Sequence, residues 1–279
     1  MSNGLPQGSI LSPLLFSVYV NDLLSKPMYN TIYAFADDIK LVGPPGPNLQ
    51  ADLHAISAWS NTHLLPINTS KCELIHFGKK NPKNSYVIDN VSLPNVECFR
   101  DLGLLVDSDL KFASHRKNVI CKALRICGLL FRCLRSKDCS TFVMLFKIYV
   151  IPIISYCSGL YVNPTSHSFK GIERVQKMFT RRLYTRLHPK CEIPDYSTRL
   201  HEFGLCSLSE LFQSNDLKTL SRIISSQFKS RFFELPFSTR KEKLILISPI
   251  RTSLYRNSFF HRVAVQWNSA LSTKSSKAH

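Results

Sequence analysis

Apolar side chains recur with helical spacing close to the start of the chain. Positions three and four apart share one face of a helix, and the apolar positions Leu11, Leu14, Leu15 and Val18 follow that spacing. Ser12 is predicted as the N-cap and Pro13 as a first-turn residue of this helix, and Pro27 marks its end. Gly4 and Gly8 allow backbone conformations that a Cβ would block. The pattern therefore predicts a glycine-flanked loop followed by an amphipathic helix.

The segment TIYAFADDIKLVG, residues 31–43, has the residue content of strands. Tyr, Phe, Ile and Val favour strands whereas Asp favours turns, so the segment predicts two short strands around a turn at Asp37 and Asp38. The sequence GPPGPN at 43–48 predicts a loop. The later elements predicted for this part of the chain are a helix over 49–63 and strands around 71–78 and 86–94.

Two later segments, 114–136 and 168–187, divide into an apolar and a basic side when they are wound as helices. In the first, the apolar side comprises Val119, Ile120, Ala123, Leu124, Cys127, Leu130, Phe131 and Leu134, and the basic side comprises Lys117, Lys122, Arg125, Arg132 and Arg135. In the second, the apolar side comprises Ile172, Val175, Met178, Phe179 and Leu183, and the basic side comprises Lys170, Arg174, Lys177 and Arg181. Both segments are predicted to be helices with a buried apolar side and an exposed basic side.

The net charge of +17 is distributed unevenly. Residues 1–100 contain seven Lys or Arg and seven Asp or Glu, so the whole excess lies in residues 101–279. This asymmetry favours a polyanionic partner, either nucleic acid or an anionic membrane, over a merely soluble basic surface. The most membrane-like window, 142–162, is interrupted by Lys147 and Pro152, which favours a buried pair of helices. No membrane association is predicted.

The nine cysteines bear on compartment and metal binding. The apolar N-terminal stretch lacks a basic start, so we expect free thiols inside the cell rather than a secreted disulfide framework. Cysteines repeated every six residues point in different directions on a helix, which argues against zinc at Cys121, Cys127, Cys133 and Cys139. His188, Cys191, His201 and Cys206 have a loosely knuckle-like spacing, but no C-x₂-C pair begins it, so a zinc site is disfavoured there as well.

The adjacent carboxylates of Asp37 and Asp38 have the chemistry of a phosphoryl-transfer centre. Such a centre needs carboxylates to hold Mg²⁺, which prefers oxygen ligands. Taken alone, the pair also fits a solvated turn. The neighbouring motifs therefore decide its interpretation.

Five segments follow one another along the chain in this order: GLPQGSILSPLLF, YVNDL, YAFADD, NTSKCELIHFG and FRDLGLLVDSDLKFASH. Their order and spacing resemble the later palm motifs and the thumb of reverse transcriptases, most closely those of non-LTR (LINE-type) retrotransposons. Segments 196–224 and 256–271 resemble the tail that follows the polymerase in such elements. The resemblance implies an α+β fold with a partial palm of helix and antiparallel hairpin over 1–105, a helical thumb over 106–190 and a basic helical post-thumb region over 191–279.

The resemblance also implies roles for single residues. Asp37 and Asp38 would be catalytic ligands of a two-ion Mg²⁺ site. The residues expected at the nucleotide and template site are Pro6, Gln7, Gly8, Ser9, Phe35 and Lys71. Leu102 and Gly103, followed by Asp107 and His115, resemble the junction of primer grip and thumb. The implied partners are an RNA template, a DNA primer and deoxynucleoside triphosphates, with the two basic helix sides following duplex phosphates.

One departure from the family pattern concerns the third carboxylate. In the family, a motif with another metal-binding aspartate precedes the loop that begins at Gly4, whereas three residues precede Gly4 here and Asp22 does not match that motif. The resemblance therefore implies an incomplete metal site and no polymerase activity for this chain alone. The alternative hypothesis is a non-catalytic remnant that binds nucleic acid through its basic helices. The family implies a nuclear or cytoplasmic location, and no sequence feature indicates an oligomeric state.

Overall fold

The computed structural model of the protein describes residues 8–163, 169–225, 244–247, 249, 255–256 and 258–275. The chain divides into two compact units, Met1–Phe99 and Arg100–His279, which we call the first and second units. The described residues form many helices and three small two-stranded sheets, which places the fold in the α+β class, as predicted.

The first unit contains α1 (Ser12–Ser25), β1 (Thr31–Phe35), β2 (Asp38–Val42), α2 (Pro47–Thr62), a 3₁₀ turn (Thr69–Lys71), β3 (Val87–Ile88) and β4 (Val91–Ser92). Strands β5 (Cys98–Asp101) and β6 (Leu104–Asp107) form the next small sheet. The helices of the second unit are α3 (Ala113–Cys133), α4 (Cys139–Leu145), a π-helical segment (Phe146–Val150), α5 (Ile151–Ser155), α6 (Ser158–Tyr161), α7 (Phe169–Leu187), α8 (Tyr196–Glu202), α9 (Leu208–Ser225) and α10 (Phe259–Ser275).

The core of the first unit lies between α1, α2 and the β1–β2 hairpin. Its buried members are Val20, Leu23, Ile56 and Trp59, against which Ile32, Ala34 and Leu41 of the hairpin pack. Full burial of such a side chain contributes about 1.5–3 kcal/mol. The predicted first helix forms, but its N-cap is Leu11, not Ser12, and no side chain caps it. Its buried side is also not the predicted one, because Val20 and Leu23 are buried and the predicted apolar side is exposed at Leu11, Leu14, Leu15 and Val18. The same core fixes the hairpin on the helices.

The strand predicted around 71–78 is wrong. Thr69–Lys71 forms a 3₁₀ turn, and a single bridge joins Leu74 to Asn95. The side chain of Asn68 accepts a hydrogen bond from the backbone N–H of Ser70 at 3.2 Å and stabilises this turn, which ends where the predicted strand begins. The segment 86–94 does form a hairpin, β3–β4.

The second unit has an aromatic core between α3, α4, the π-helical segment and α7. Phe131 stacks on Phe142 with 5.1 Å between ring centroids, and Phe146 stacks on Phe179 at 4.1 Å. The buried residues of α3 include Val119, Ala123 and Cys127, and those of α7 include Ile172, Val175 and Leu183. The apolar sides predicted for both helices are therefore confirmed. Helix α3 ends at Cys133, three residues before the predicted end.

The apolar window 142–162 folds as consecutive helical pieces within the second unit. Pro152 has no N–H for the carbonyl four residues before it, and the turn that precedes it is π-helical, with the N–H of Ile151 donating to the carbonyl of Phe146. Within the described ranges, every helix is too short or too polar to span a bilayer.

The later helices are tied together by a buried ion pair. Arg262 of α10 donates to Asp216 of α9 at 2.7 Å and to the carbonyl of Gly159 in α6 at 3.1 Å. Burial raises the pKa of Asp216, and the guanidinium of Arg262 opposes that rise. Helix α7 packs on α3, α8 and α9, so the predicted thumb and post-thumb segments contribute to the same compact unit.

Candidate active site and nucleic-acid interface

The β1–β2 hairpin places Asp37 and Asp38 at its tip. The two strands are antiparallel and Phe35 lies opposite Asp38, so Ala36 and Asp37 form the two-residue turn. The turn therefore begins one residue earlier than predicted. Ala36 has a left-handed φ of 50°, an uncommon conformation for a residue with a Cβ. The tip of this hairpin is a tightly constrained support for both carboxylates.

The two faces of the hairpin differ in their surroundings. Cross-strand neighbours share a face, so Ile32 and Leu41 lie together on the core side. Phe35 and Asp38 form a pair on the opposite side, where the Phe35 side chain is 61% exposed. Asp38 is therefore presented to solvent beside an exposed aromatic ring.

A buried carboxylate, Asp52, anchors the chain that leads into the hairpin. It is 2% exposed and accepts hydrogen bonds from the backbone N–H of Tyr29 at 3.0 Å and of Asn30 at 2.8 Å. The Asn30 side chain also donates to it at 2.8 Å. A Cβ on Gly43, which follows β2, would lie 1.8 Å from the Asn30 side-chain oxygen. Both ends of the hairpin thus depend on Asn30, a role that local sequence patterns did not reveal.

Asp22 has a scaffold role and is separate from the hairpin tip in its contacts. The Trp59 indole N–H donates to Asp22 at 2.9 Å, and the His63 ring lies 3.4 Å from the same carboxylate. The Trp59 and His63 rings are stacked with centroids 4.5 Å apart. These contacts join α1 to the end of α2.

Asp37 and Asp38 suit Mg²⁺ as a pair of oxygen ligands. Mg²⁺ is usually bound by one or two carboxylates, with substrate phosphates and water completing the octahedron. Both aspartates are exposed, and neither has a hydrogen-bond donor or basic partner among the described residues. In the part of the chain that the structure describes, no three His, Cys, Asp or Glu side chains are grouped to hold a metal. The hairpin tip therefore presents two exposed carboxylates, and their role as metal ligands stays a prediction.

The predicted nucleotide and template residues are only partly placed. Pro6 and Gln7 lie outside the described residues. Gly8 has a left-handed φ of 85°, and the hydroxyl of Ser9 accepts from the N–H of Leu11 at 3.4 Å. Lys71 is exposed at the end of the 3₁₀ turn. Their roles remain predictions.

All nine basic side chains predicted to contact phosphates are exposed. On α7, Lys170, Arg174, Lys177 and Arg181 follow a spacing of four, three and four, so they form one stripe about 16 Å long. Lys177 is already engaged, since its ammonium lies 3.3 Å from Glu173 and 5.0 Å from the centre of the Tyr196 ring. The other eight have no carboxylate partner among the described residues.

Arg186 belongs to the inner side of α7 and was missed by the sequence pattern. Its guanidinium donates to the carbonyl of Leu134 at 2.6 Å and to that of Phe131 at 2.7 Å. These carbonyls lie at the C-terminal end of α3, where backbone acceptors lack helical partners. Arg186 also lies over the Phe142 ring at 5.1 Å. It caps α3 and is not available to a phosphate.

The predicted junction of primer grip and thumb is a tight turn followed by a buried histidine. Leu102 and Gly103 have φ values of 44° and 89°, the positive signs of a two-residue hairpin turn. His115 is 3% exposed, and its Nδ1 accepts from the N–H of Leu105 at 3.2 Å. Burial is the main reason why the pKa of His115 is lowered. His115 therefore anchors α3 to β6.

The loose zinc alternative is not assembled in the described residues. His188 lies 3.2 Å from Glu202, and the rings of Tyr184 and His188 are 4.7 Å apart. Cys191 and Cys206 are exposed free thiols. These contacts explain the position of His188 without a metal.

Comparisons with known proteins bear on the whole arrangement. Residues 1–112 match the family described as reverse transcriptase (RNA-dependent DNA polymerase). The chain is 28% identical over 218 residues to the probable RNA-directed DNA polymerase from transposon X-element of Drosophila melanogaster, which covers 71% of this chain and 23% of that protein. It is 30% identical over 133 residues to the probable RNA-directed DNA polymerase from transposon BS of the same organism, which covers 42% and 15%.

A third relative is an uncharacterized protein of Caenorhabditis elegans, 28% identical over 130 residues, which covers 46% of this chain and 64% of that protein. The chain thus spans less than two thirds of each of these three relatives. No solved structure matches it.

Proposed function

We propose that this chain, which is related to LINE-type reverse transcriptases, carries part of an RNA-directed DNA polymerase whose metal ligands are Asp37 and Asp38. The observation that carries the proposal is the exposure and position of these two carboxylates. They are exposed, adjacent and without a protein partner among the described residues, at the tip of a hairpin held by the core and by Asp52.

The chemistry follows from the ligand set. Mg²⁺ would supply charge neutralisation for nucleotidyl transfer and help to orient the attacking and leaving oxygens. Asp37 and Asp38 would hold it at the hairpin tip, and Phe35 would present an exposed ring beside Asp38 to the nucleotide or template. Gln7, Gly8 and Lys71 would shape the remainder of that site, as the family pattern implies.

The basic sides of α3 and α7 would hold the RNA template and DNA primer. Lys and Arg contacts to phosphates position a duplex without reading its sequence, and they make affinity depend on salt. Eight of the nine predicted side chains are free of carboxylate partners, so they need not break an ion pair to bind phosphate. Lys177 would contribute least because Glu173 already neutralises it.

A second candidate function is nucleic-acid binding without catalysis. The observation that favours it is that no third metal ligand joins the hairpin pair within the described residues. Under this hypothesis the basic helices retain their role and the carboxylates are vestigial.

Metal binding and primer extension separate the two functions. Metal binding is measured as the loss of the electron paramagnetic resonance signal of free Mn²⁺ when protein is added. We expect the double variant Asp37→Asn with Asp38→Asn to lose this binding. Glu192→Gln removes another exposed carboxylate without a partner and serves as the matched control. Primer extension on an RNA template with Mg²⁺ then measures catalysis.

The outcomes are distinct. Extension that Asp37→Asn abolishes would establish the polymerase. Salt-dependent duplex binding without extension, and with Mn²⁺ binding unaffected by the double variant, would establish the binding remnant and refute the metal-holding role.

A further inference from the structure

We infer that the loop at 77–85 of the first unit, which we call the lysine loop, binds the phosphates of a nucleic acid through Lys79, Lys80 and Lys83. The inference rests on the proposed function only in taking nucleic acid as the ligand. It adds a backbone contact in the first unit to the contacts proposed for α3 and α7 of the second unit.

Positive charge is concentrated in the lysine loop. The first unit contains six lysines and no arginine, and three of the six lie at positions 79–83. The loop itself contains no Asp or Glu. Consecutive residues advance the chain by at most about 3.6 Å each, so the backbones of the three lysines lie within about 14 Å of one another. The first unit has no excess of positive charge as a whole, but it has a local excess in this loop.

The ammonium groups of the loop are open to a ligand. All three lysines are exposed, and none forms an ion pair with a carboxylate among the described residues. The carboxylates of the neighbouring segments are Glu73, Asp89 and Glu97. Asp89 accepts a hydrogen bond from the hydroxyl of Ser57, and Glu73 and Glu97 are exposed, so salt weakens their attraction for lysines outside contact distance. The lysines therefore need not break an ion pair to bind a phosphate.

Asn81 orders the lysine loop before any ligand arrives. Its side-chain amide donates to the carbonyl of Phe77 at 3.2 Å, and its side-chain oxygen accepts from the N–H of Lys83 at 2.9 Å. Its backbone N–H donates to the carbonyl of Gly78 at 3.3 Å. A loop that is already ordered loses less conformational freedom on binding, which favours affinity.

Lys83 occupies a backbone position that does not favour lysine. Its φ of 56° lies in the left-handed region, which Gly and Asn adopt more readily than residues with a longer side chain. A residue held in a disfavoured conformation is a reason to look for a function of its side chain. The charge of Lys83 is a feature that Gly or Asn could not supply.

A nucleic-acid backbone fits the chemistry of the loop. The ammonium of lysine is a compact point charge that binds phosphate without a fixed geometry. A strand of duplex advances about 3.4 Å per phosphate along its axis, so three lysines within about 14 Å can reach neighbouring phosphates of one strand. Such contacts position a duplex without reading its sequence. The relation of the chain to RNA-directed DNA polymerases favours nucleic acid over other polyanions.

The test measures how binding to an RNA–DNA duplex depends on salt. Fluorescence anisotropy gives the affinity of the full chain for a labelled duplex over a range of salt concentrations. The loop variant combines Lys79→Gln, Lys80→Gln and Lys83→Asn. Each lost phosphate contact lowers the slope of log affinity against log salt by about 0.9, so this variant should lower the magnitude of the slope by about 2–3.

A scattered variant provides the matched control. Lys26→Gln, Lys137→Gln and Lys190→Gln remove the same total charge from three exposed lysines that have no carboxylate partner in the described part of the chain. We expect this variant to change the slope by less than about 1, because its lysines lie in separate segments. Equal changes in the two triple variants would indicate a general effect of net charge and would overturn the inference.

Lys83 separates a role in binding from a role in folding. Because Asn adopts a left-handed backbone more readily than Lys, Lys83→Asn should keep or raise the urea midpoint while it lowers the salt slope by about 1. Lys83→Arg keeps the charge and should keep the wild-type slope. A lowered midpoint with an unchanged slope would assign Lys83 to folding and refute its contact with phosphate.

Arg181→Ala distinguishes failure of the inference from failure of the proposed function. A slope that Arg181→Ala lowers and the loop variant does not would refute the lysine loop and keep the basic side of α7. The reverse result would support the loop and refute that side, and a wild-type chain that does not bind the duplex would refute both. Loss of binding to vesicles of phosphatidylserine and phosphatidylcholine in the loop variant, with duplex binding unchanged, would assign the loop to a membrane and overturn the inference.

Discussion

The hairpin tip of the first unit and the α9–α10 contact of the second unit both contain aspartates, in opposite surroundings. Asp37 and Asp38 are exposed without a partner among the described residues, whereas Asp216 is 3% exposed and lies 2.7 Å from Arg262. Water stabilises the charges of Asp37 and Asp38. Asp216 is shielded from water, so its charge is stabilised only by the guanidinium of Arg262. The comparison shows that burial and partnership separate scaffold charges from charges available to a ligand.

The largest expected change in the free energy of unfolding comes from removing the partner of the buried aspartate. Arg262→Ala leaves Asp216 buried and unpaired, so it should lower the free energy of unfolding by about 3–5 kcal/mol. Asp37→Asn removes a negative charge from the exposed hairpin tip and should change the free energy of unfolding by less than about 0.5 kcal/mol. Urea denaturation measures both. Similar losses in the two variants would contradict the division into scaffold and available charges.

Asp52 provides a test within the first unit. Asp52→Ala leaves the N–H groups of Tyr29 and Asn30 without their acceptor, which should cost about 3 kcal/mol. Glu73→Ala removes an exposed carboxylate without a partner in the same unit and should be nearly neutral. Chemical denaturation compares them. A neutral Asp52→Ala would show that the entry to β1 is held by the core alone.

Two arginines of α7 sharpen the comparison on a single helix. Arg186→Ala removes the cap of α3 and should lower the free energy of unfolding by about 1.5–3 kcal/mol, since hydrogen bonds from a charged group are lost. Arg181→Ala should leave stability within about 0.5 kcal/mol. It should instead weaken duplex binding and reduce the salt slope by about 1.

Chemical denaturation measures the stability of both variants, and titration with duplex measures their affinity and salt slope. If Arg186→Ala changed the salt slope and Arg181→Ala changed stability, the assignment of inner and outer sides of α7 would be reversed.

Local periodicity predicted the elements that present the site. The β1–β2 hairpin and the two-sided helices α3 and α7 follow from spacing of two or of three to four residues. Spacing also predicted the first helix, but not the side that it buries, which contains Val20 and Leu23. The strand predicted over 71–78 is reduced to a bridge between Leu74 and Asn95, and its first residue, Lys71, belongs to a turn that the side chain of Asn68 stabilises. Spacing alone could also not decide which of two adjacent aspartates begins β2.

The scaffold charges could not be predicted because their partners are distant in sequence. Asp52 binds residues 22 and 23 positions away, and Arg186 binds carbonyls 52 and 55 positions away. A helical wheel does not distinguish Arg186 from the basic residues of α7 that are exposed. Lys177 shows the reverse error, because it lies on the predicted stripe although Glu173 and Tyr196 engage it.

The smallest expected effect is a pH dependence of stability that arises from the buried His115 and not from the exposed charges. Burial lowers the pKa of His115 in the folded protein, and Arg100 lowers it further while Asp107 opposes them. As pH falls below the ordinary histidine value near 6.5, the unfolded chain binds a proton more readily than the folded chain, so stability decreases until the lower folded pKa is passed. His115→Gln removes that titration and keeps an acceptor for the N–H of Leu105. Denaturation at pH 7.5 and pH 5.5 should therefore show a smaller loss for the variant than for the wild type, and equal losses would assign the pH dependence to other groups.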